Sequence, residues 1–164
     1  MKKIFLIVTI VATVFVQNSF AQPVPTTRED KTTEPSQLLQ SYLSIKNALV
    51  ACNAANASAG AEEFVKTLNG IDGKIINEAT RNALLKDATH ISENKDIKHQ
   101  REHFASFSTN MYALAKVDKL SVGPLYYAYC PMKKAYWLSS GATIKNPYYG
   151  NAMLTCGKVE EILK

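Results

Sequence analysis

The sequence predicts a mainly α-helical fold, an up-and-down four-helix bundle followed by an aromatic, loop-rich C-terminal lobe with short extended segments. Apolar residues recur at helical spacing in four stretches between residues 37 and 116, and short polar connections separate these stretches. After Val117 glycine, proline and tyrosine become frequent, which is typical of loops and short strands. Helices joined by short loops pack as antiparallel neighbours, so a bundle is expected.

The first and fourth helices have polar residues at their expected starts. Ser36 and Asp96 stand at N-cap positions, where a side-chain oxygen accepts a hydrogen bond from a free backbone N–H. In the lobe, residues 118–157, two short segments are predicted to be extended and residues 158–163 to form a helical turn. The predicted helices cover residues 37–54, 59–68, 77–92 and 97–116. The predicted extended segments cover residues 125–129 and 135–138.

The N-terminus has the pattern of a bacterial signal peptide. Lys2 and Lys3 precede an apolar run that ends at Val16, and a small-x-small cleavage site ends at Ala21. The apolar run is shorter than the ~20 residues that span a bilayer. We therefore predict export to the periplasm or the exterior, with no stable membrane insertion after cleavage.

This cleavage site sets the predicted domain organisation. Residues 1–21 are the predicted signal peptide, and residues 22–35, rich in proline, threonine and charge, are a predicted flexible leader. Residues 36–164 are predicted to form a single helical domain.

Charge and motifs exclude several classes of function. Loss of Lys2 and Lys3 lowers the formal net charge from +5 to +3, and 14 acidic residues are interspersed with the basic ones. No basic stripe results, which argues against nucleic-acid binding. The chain has no Cys-x-x-Cys pair, phosphate-binding glycine loop or nucleophile elbow, so we predict that it is not an enzyme. A thiol-dependent enzyme using Cys130 is the weakest alternative.

Two sulfur motifs near the C-terminus indicate metal chemistry. Cys130 and Met132 flank a proline, and Met153 and Cys156 are three residues apart, so one turn places them on one face. Thiolates and thioethers together select soft ions such as Cu(I). The alternative is a Cys130–Cys156 disulfide, which would contribute about 3 kcal/mol in the chain-entropy model. The residues alone leave both interpretations open.

The remaining cysteine and the histidines have less specific settings. Cys52 continues the apolar series of the first helix, so we predict a buried core residue. His99 and His103 are four residues apart and project from one face of the fourth helix. His90 lies on the third helix. Each histidine is also compatible with an ordinary solvated or hydrogen-bonded core side chain.

Two segments, HISENKDIKHQREHFASFSTNMYAL and LYYAYCPMKKAYWLSSGATIKNPYYGNAMLTCG, resemble an uncharacterised family of bacterial periplasmic domains. These domains occur alone and at the C-terminus of periplasmic adaptor subunits of copper/silver efflux pumps. The resemblance covers about residues 37–163. Adaptor subunits have a longer spacer between the Cys-Pro-Met triplet and the aromatic pair, so this loop is shortened here, and the chain is expected to be a stand-alone version.

The resemblance implies an exported helical domain in heavy-metal homeostasis, with efflux-pump components as candidate partners. It favours Cu(I) as the bound ion over the alternative, a metal-free interaction module with a Cys130–Cys156 disulfide. The implied ligands are four sulfur residues of the lobe and two histidines of the helices. They are Cys130, Met132, Met153, Cys156, His103 and His90.

Overall fold

The computed structural model describes residues 34–164, which form four α-helices followed by a three-stranded antiparallel sheet. The protein is therefore mainly helical, as predicted. The predicted signal peptide and most of the leader lie outside the described residues. Within residues 34–164 no helix is both long and apolar enough to cross a membrane. The helices are α1 (Glu34–Val50), α2 (Ala54–Gly70), α3 (Glu78–Glu93) and α4 (Ile97–Val117).

Polar caps fix where the later helices begin. The side chain of Asn53 accepts a hydrogen bond from the N–H of Asn56 at 3.0 Å and so starts α2. Asn77 caps α3 in the same way through Thr80, and Asp96 caps α4, as predicted. The Asn53 cap places the end of α1 at Val50 and the start of α2 at Ala54. The first two helices were predicted to end at residue 54 and to begin at residue 59, so this boundary was wrong by several residues.

The sheet has the strand order β2-β1-β3, with β1 in the middle. The strands are β1 (Leu125–Cys130), β2 (Ala135–Ser139) and β3 (Lys158–Leu163), and a short 3₁₀ helix over Gly150–Met153 lies between β2 and β3. The two segments predicted to be extended are confirmed as β1 and β2, which pair antiparallel with each other. The helical turn predicted for residues 158–163 is wrong, because this segment pairs antiparallel with β1 as an edge strand.

Aromatic side chains join the helices to the sheet. Consecutive helices pack on each other, and β2 packs mainly on α4. The buried Tyr42 ring stacks on Phe104 with ring centroids 5.4 Å apart. Its hydroxyl pairs with the Ser108 hydroxyl at 2.8 Å and accepts a hydrogen bond from the Leu138 N–H at 2.9 Å. Tyr42 therefore holds α1, α4 and β2 together, and the sheet has a fixed place on the helices.

A buried lysine gives a pH-dependent prediction. Lys46 of α1 is only 5 % exposed, and burial, followed by the charge of Lys145, lowers its pKa from 10.5 to about 8. At pH 7 the folded state therefore bears the cost of a buried charge. Between pH 8 and 10.5 this cost disappears, because the folded protein releases the proton while the unfolded chain keeps it.

We expect Lys46→Met to raise the free energy of unfolding by about 2 kcal/mol at pH 7, and by less at pH 10. Urea unfolding of both proteins at the two pH values measures the difference. Lys86→Met, at an exposed lysine of α3, serves as the control and should change stability little at either pH. An equal gain from Lys46→Met at pH 7 and pH 10 would contradict the prediction.

Candidate metal centre

The sheet brings Cys130 and Cys156 together. Cys130 is the last residue of β1, and Cys156 lies two residues before β3. Because Tyr129 is paired with Lys158 in an antiparallel register, both cysteines come to the same end of the sheet. Both are free thiols. The Asn146 side-chain amide links them, because it donates to Cys130 Sγ at 3.1 Å and to the Cys156 carbonyl oxygen at 2.7 Å.

Two N–H groups donate to the sulfur of Cys130. The Asn146 side-chain amide donates to Cys130 Sγ at 3.1 Å, and the backbone N–H of Lys133 donates to the same sulfur at 3.4 Å. The nearby backbone N–H of Met132 acts to lower the pKa of the Cys156 thiol, against the larger effects that raise it. Donors of this kind stabilise negative charge on sulfur, so the surroundings suit thiolates better than an apolar pocket would.

The sulfur pair also has an electrostatic conflict. Desolvation, followed by the adjacent sulfur of Cys130, raises the pKa of the Cys156 thiol. A second negative charge is therefore costly while the first sulfur is ionised. A cation bound between the two sulfurs would remove this cost.

The two methionines of the sulfur motifs lie at the surface beside the pair. The side chain of Met132 is 61 % exposed and that of Met153 is 39 % exposed. The Cys156 N–H donates to the Met153 carbonyl at 3.1 Å, which closes the turn that carries both residues. Cys130 is buried and Cys156 is partly exposed, so the pair is open to solvent from the Cys156 side.

The three histidines meet at the α3–α4 hairpin. His90 comes from α3, and His99 and His103 come from successive turns of α4. Each offers a ring nitrogen, and these nitrogens all lie within 4.8 Å of one another. The rings of His90 and His103 are stacked, with centroids 4.2 Å apart and an interplanar angle of 12°.

A buried carboxylate orients one of these rings. Asp87 lies one turn before His90, and its Oδ1 is 3.3 Å from His103 Nδ1. A carboxylate only accepts, so Nδ1 of His103 carries a proton in this contact, and in the neutral tautomer that results the free lone pair is on Nε2. Carboxylate–histidine pairs of this type are common behind metal-ligating imidazoles.

The predicted ligands therefore form two groups. Histidine, cysteine, aspartate and glutamate side chains are the usual metal ligands. Among residues 34–164, the three histidines are the one group of three such side chains whose ligand atoms lie this close together. Cys130 and Cys156 are joined through Asn146, and His90 and His103 contact His99. His99, absent from the set of implied ligands, is part of the cluster. Its four-residue spacing from His103 was the signal in the sequence.

The prediction that Cys52 is a buried core residue is wrong. Cys52 is exposed, with a φ of 56°, because α1 ends at Val50. The backbone N–H of Asn151, followed by the Arg101 guanidinium, lowers the pKa of its thiol. Arg101 Nη2 donates to its sulfur at 3.2 Å. Sequence periodicity gave no sign of this contact, which depends on the fold of residues 147–151.

Comparison with known proteins identifies one family. Residues 38–122 match the family described as a protein of unknown function (DUF3347). The matched segment takes in nearly all of the helical part, including the three histidines, and stops before β1. No curated protein matches the chain, and no solved structure matches it. Since the match covers more than half of the sequence, the chain belongs to the DUF3347 family.

Proposed function

We propose that this protein is an exported binding protein for a soft metal ion, Cu(I) first, with Cys130 and Cys156 as its principal ligands. The observation that carries the proposal is that the Asn146 amide joins two free cysteines at one end of the sheet, with two N–H donors directed at the sulfur of Cys130. Thiolate sulfur selects Cu(I) over hard cations. An ion between the sulfurs relieves the repulsion that raises the pKa of Cys156.

Met132 and Met153 are the proposed supplementary ligands. Each belongs to the same short segment as one of the cysteines, and each has an exposed side chain that is free to rotate toward the pair. A thioether is a weak, soft donor that completes the coordination of Cu(I) without adding charge.

The setting of the proposal comes from the sequence. The signal-like N-terminus supports export to the periplasm or the exterior. The resemblance to domains of copper/silver efflux adaptors supports a role in heavy-metal homeostasis, with efflux-pump components as partners. The packing of consecutive helices supports the up-and-down bundle as the scaffold.

A metal-free interaction module is the second candidate, and the closeness of the two cysteines also favours it. Two adjacent thiols in an oxidising compartment form a disulfide readily. The tyrosine rings of the sheet would then form the partner surface. Tyr129 of β1 and Tyr136 of β2 are both half-buried, and their ring centroids are 4.6 Å apart.

Cu(I) binding to the reduced protein tests the proposal. In a Cys52→Ser background, competition with a chromophoric Cu(I) chelator under anaerobic conditions should give one Cu(I) per chain. Cys130→Ser or Cys156→Ser should weaken binding about a thousandfold, or ~4 kcal/mol. Met132→Leu with Met153→Leu should weaken it about tenfold, or ~1.4 kcal/mol. Met111→Leu, which removes a buried thioether from α4, is the matched control and should leave the affinity unchanged.

Thiol titration of the native protein separates the two candidates. If Cys52 is the one titratable thiol and the reduced protein takes up no Cu(I), the metal proposal fails and the disulfide-bonded module stands.

A further inference from the structure

We propose that His90, His99 and His103 form a second metal site, separate from the thiol pair, for a borderline divalent ion such as Zn(II) or Cu(II). The chain has three histidines in all, and the fold collects all three in this cluster. Imidazole nitrogen suits zinc and copper, whereas a pair of thiolates suits Cu(I). The inference rests on the helices alone and does not depend on the thiol pair.

The separations between the ring nitrogens suit a shared ion. Ligand atoms around a tetrahedral zinc are about 3.3 Å apart, because each Zn–N bond is about 2.0 Å long. The three nitrogens lie within 4.8 Å of one another, so rotation of the side chains by at most about 1.5 Å at the nitrogens closes the site. His90 is exposed and the other two are half-buried, so an ion in solvent has access. Three ligands leave a fourth position for water.

Asp87 supplies the orientation that such a site needs. Its buried carboxylate accepts from Nδ1–H of His103 at 3.3 Å. This contact fixes the tautomer, makes Nε2 the ligand atom and increases its basicity.

The hairpin that carries the histidines is rigid. Gln100, between His99 and His103 on α4, is fully buried. Its amide nitrogen lies within hydrogen-bond distance of three carbonyl oxygens, those of Ala54 (3.0 Å), Ile91 (3.1 Å) and Asn94 (2.6 Å). These contacts fix the register of α4 against the end of α3. Metal ligands bind best when the helices that carry them are held rigidly. Here the helices already are, so binding needs only side-chain rotation and no rearrangement of the backbone.

The test uses the full mature chain carrying Cys52→Ser, Cys130→Ser and Cys156→Ser, so that thiols do not compete. Zn(II) titration against a chromophoric chelator should give one ion per chain. His90→Asn, His99→Asn and His103→Asn should each lower the affinity more than about a hundredfold, because a ligand contributes more than the residue that orients it. Asp87→Asn should lower it about 10- to 100-fold. Glu102→Gln, the same change of charge at an exposed position of α4, is the matched control and should have no effect.

A spectroscopic measurement gives a second readout that does not depend on how the histidine variants fold. Cu(II) bound to the thiol-free protein with all three histidines should show electron paramagnetic resonance hyperfine splitting from several imidazole nitrogens. The proposal is overturned if Zn(II) affinity is the same with and without His99. Absence of imidazole splitting in the protein with all three histidines would overturn it as well. Loss of Cu(I) binding at the thiol pair would not affect either result.

Discussion

Asn146→Ala is expected to lower the free energy of unfolding by about 3 kcal/mol and to weaken Cu(I) binding by tenfold or more. Asn146 is fully buried. Its amide nitrogen donates to Cys130 Sγ at 3.1 Å and to the Cys156 carbonyl at 2.7 Å. Its amide oxygen accepts from the Tyr148 N–H at 2.8 Å. One side chain therefore fastens three separate loops around the sulfur pair.

Alanine leaves these partners without a substitute. A buried donor or acceptor that loses its partner costs about 1–3 kcal/mol, and the Cys156 carbonyl and the Tyr148 N–H both lose theirs. The sulfur of Cys130 also loses its closest N–H donor, so a thiolate there becomes less favourable. The effect on Cu(I) binding resembles the loss of a supporting residue behind a metal ligand.

Urea unfolding and Cu(I) competition measure the two effects on the same protein. Asn82→Ala, at an exposed position of α3, is the control and should change stability by less than about 0.5 kcal/mol. If Asn146→Ala shifts the urea midpoint no more than Asn82→Ala does, the assigned role of Asn146 is wrong. If stability falls while Cu(I) affinity stays unchanged, the N–H donor is unimportant for binding.

The helices were predictable from sequence where the spacing of apolar residues and the polar N-cap residue indicated the same starting point. For α3 and α4 the spacing of apolar residues and the polar residues Asn77 and Asp96 agree, and the predicted ranges differ from the structure by one residue at most. The first five residues of α2 were not assigned to this helix. Its residues 54–59 are mostly alanine, which favours helix without producing a stripe.

The edge strand was not predictable from local pattern. In β3 the residues Val159, Glu161 and Leu163 are half-buried and alternate with exposed ones. Glu161 interrupts the apolar alternation, because its carboxylate accepts a hydrogen bond from the hydroxyl of Tyr112 on α4. A strand defined by a distant partner and a polar contact leaves little signal in its own residues.

The candidate sites show the same limit. Spacing placed His99 and His103 on one face of a helix, but the approach of His90 depends on the register of the α3–α4 hairpin. Likewise, the sulfur motifs were visible in the sequence, whereas their meeting depends on the pairing of β1 with β3. Local sequence identifies single ligands, and long-range packing decides which of them share an ion.

Gly157→Ala is expected to be still more disruptive, with a loss of more than about 3 kcal/mol of unfolding free energy. Gly157 has a φ of 148°, which is a region that side chains rarely adopt. An added Cβ would lie 2.8 Å from the ring of Trp137 and 2.9 Å from the Tyr129 carbonyl oxygen. Trp137 is buried and Tyr129 is in the central strand, so neither is free to withdraw.

The position of Gly157 also connects stability to the sulfur pair. It directly follows Cys156 and precedes β3, so relief of the clash would move Cys156 away from Cys130. Gly141→Ala is a matched control, because Gly141 has no atoms within 4 Å of an added Cβ and its φ is outside the strained range. Urea unfolding and Cu(I) titration of the two variants compare them directly. Equal stability would show that the sheet tolerates a side chain at Gly157. Normal Cu(I) affinity in a destabilised Gly157→Ala protein would show that the sulfur pair does not depend on this turn.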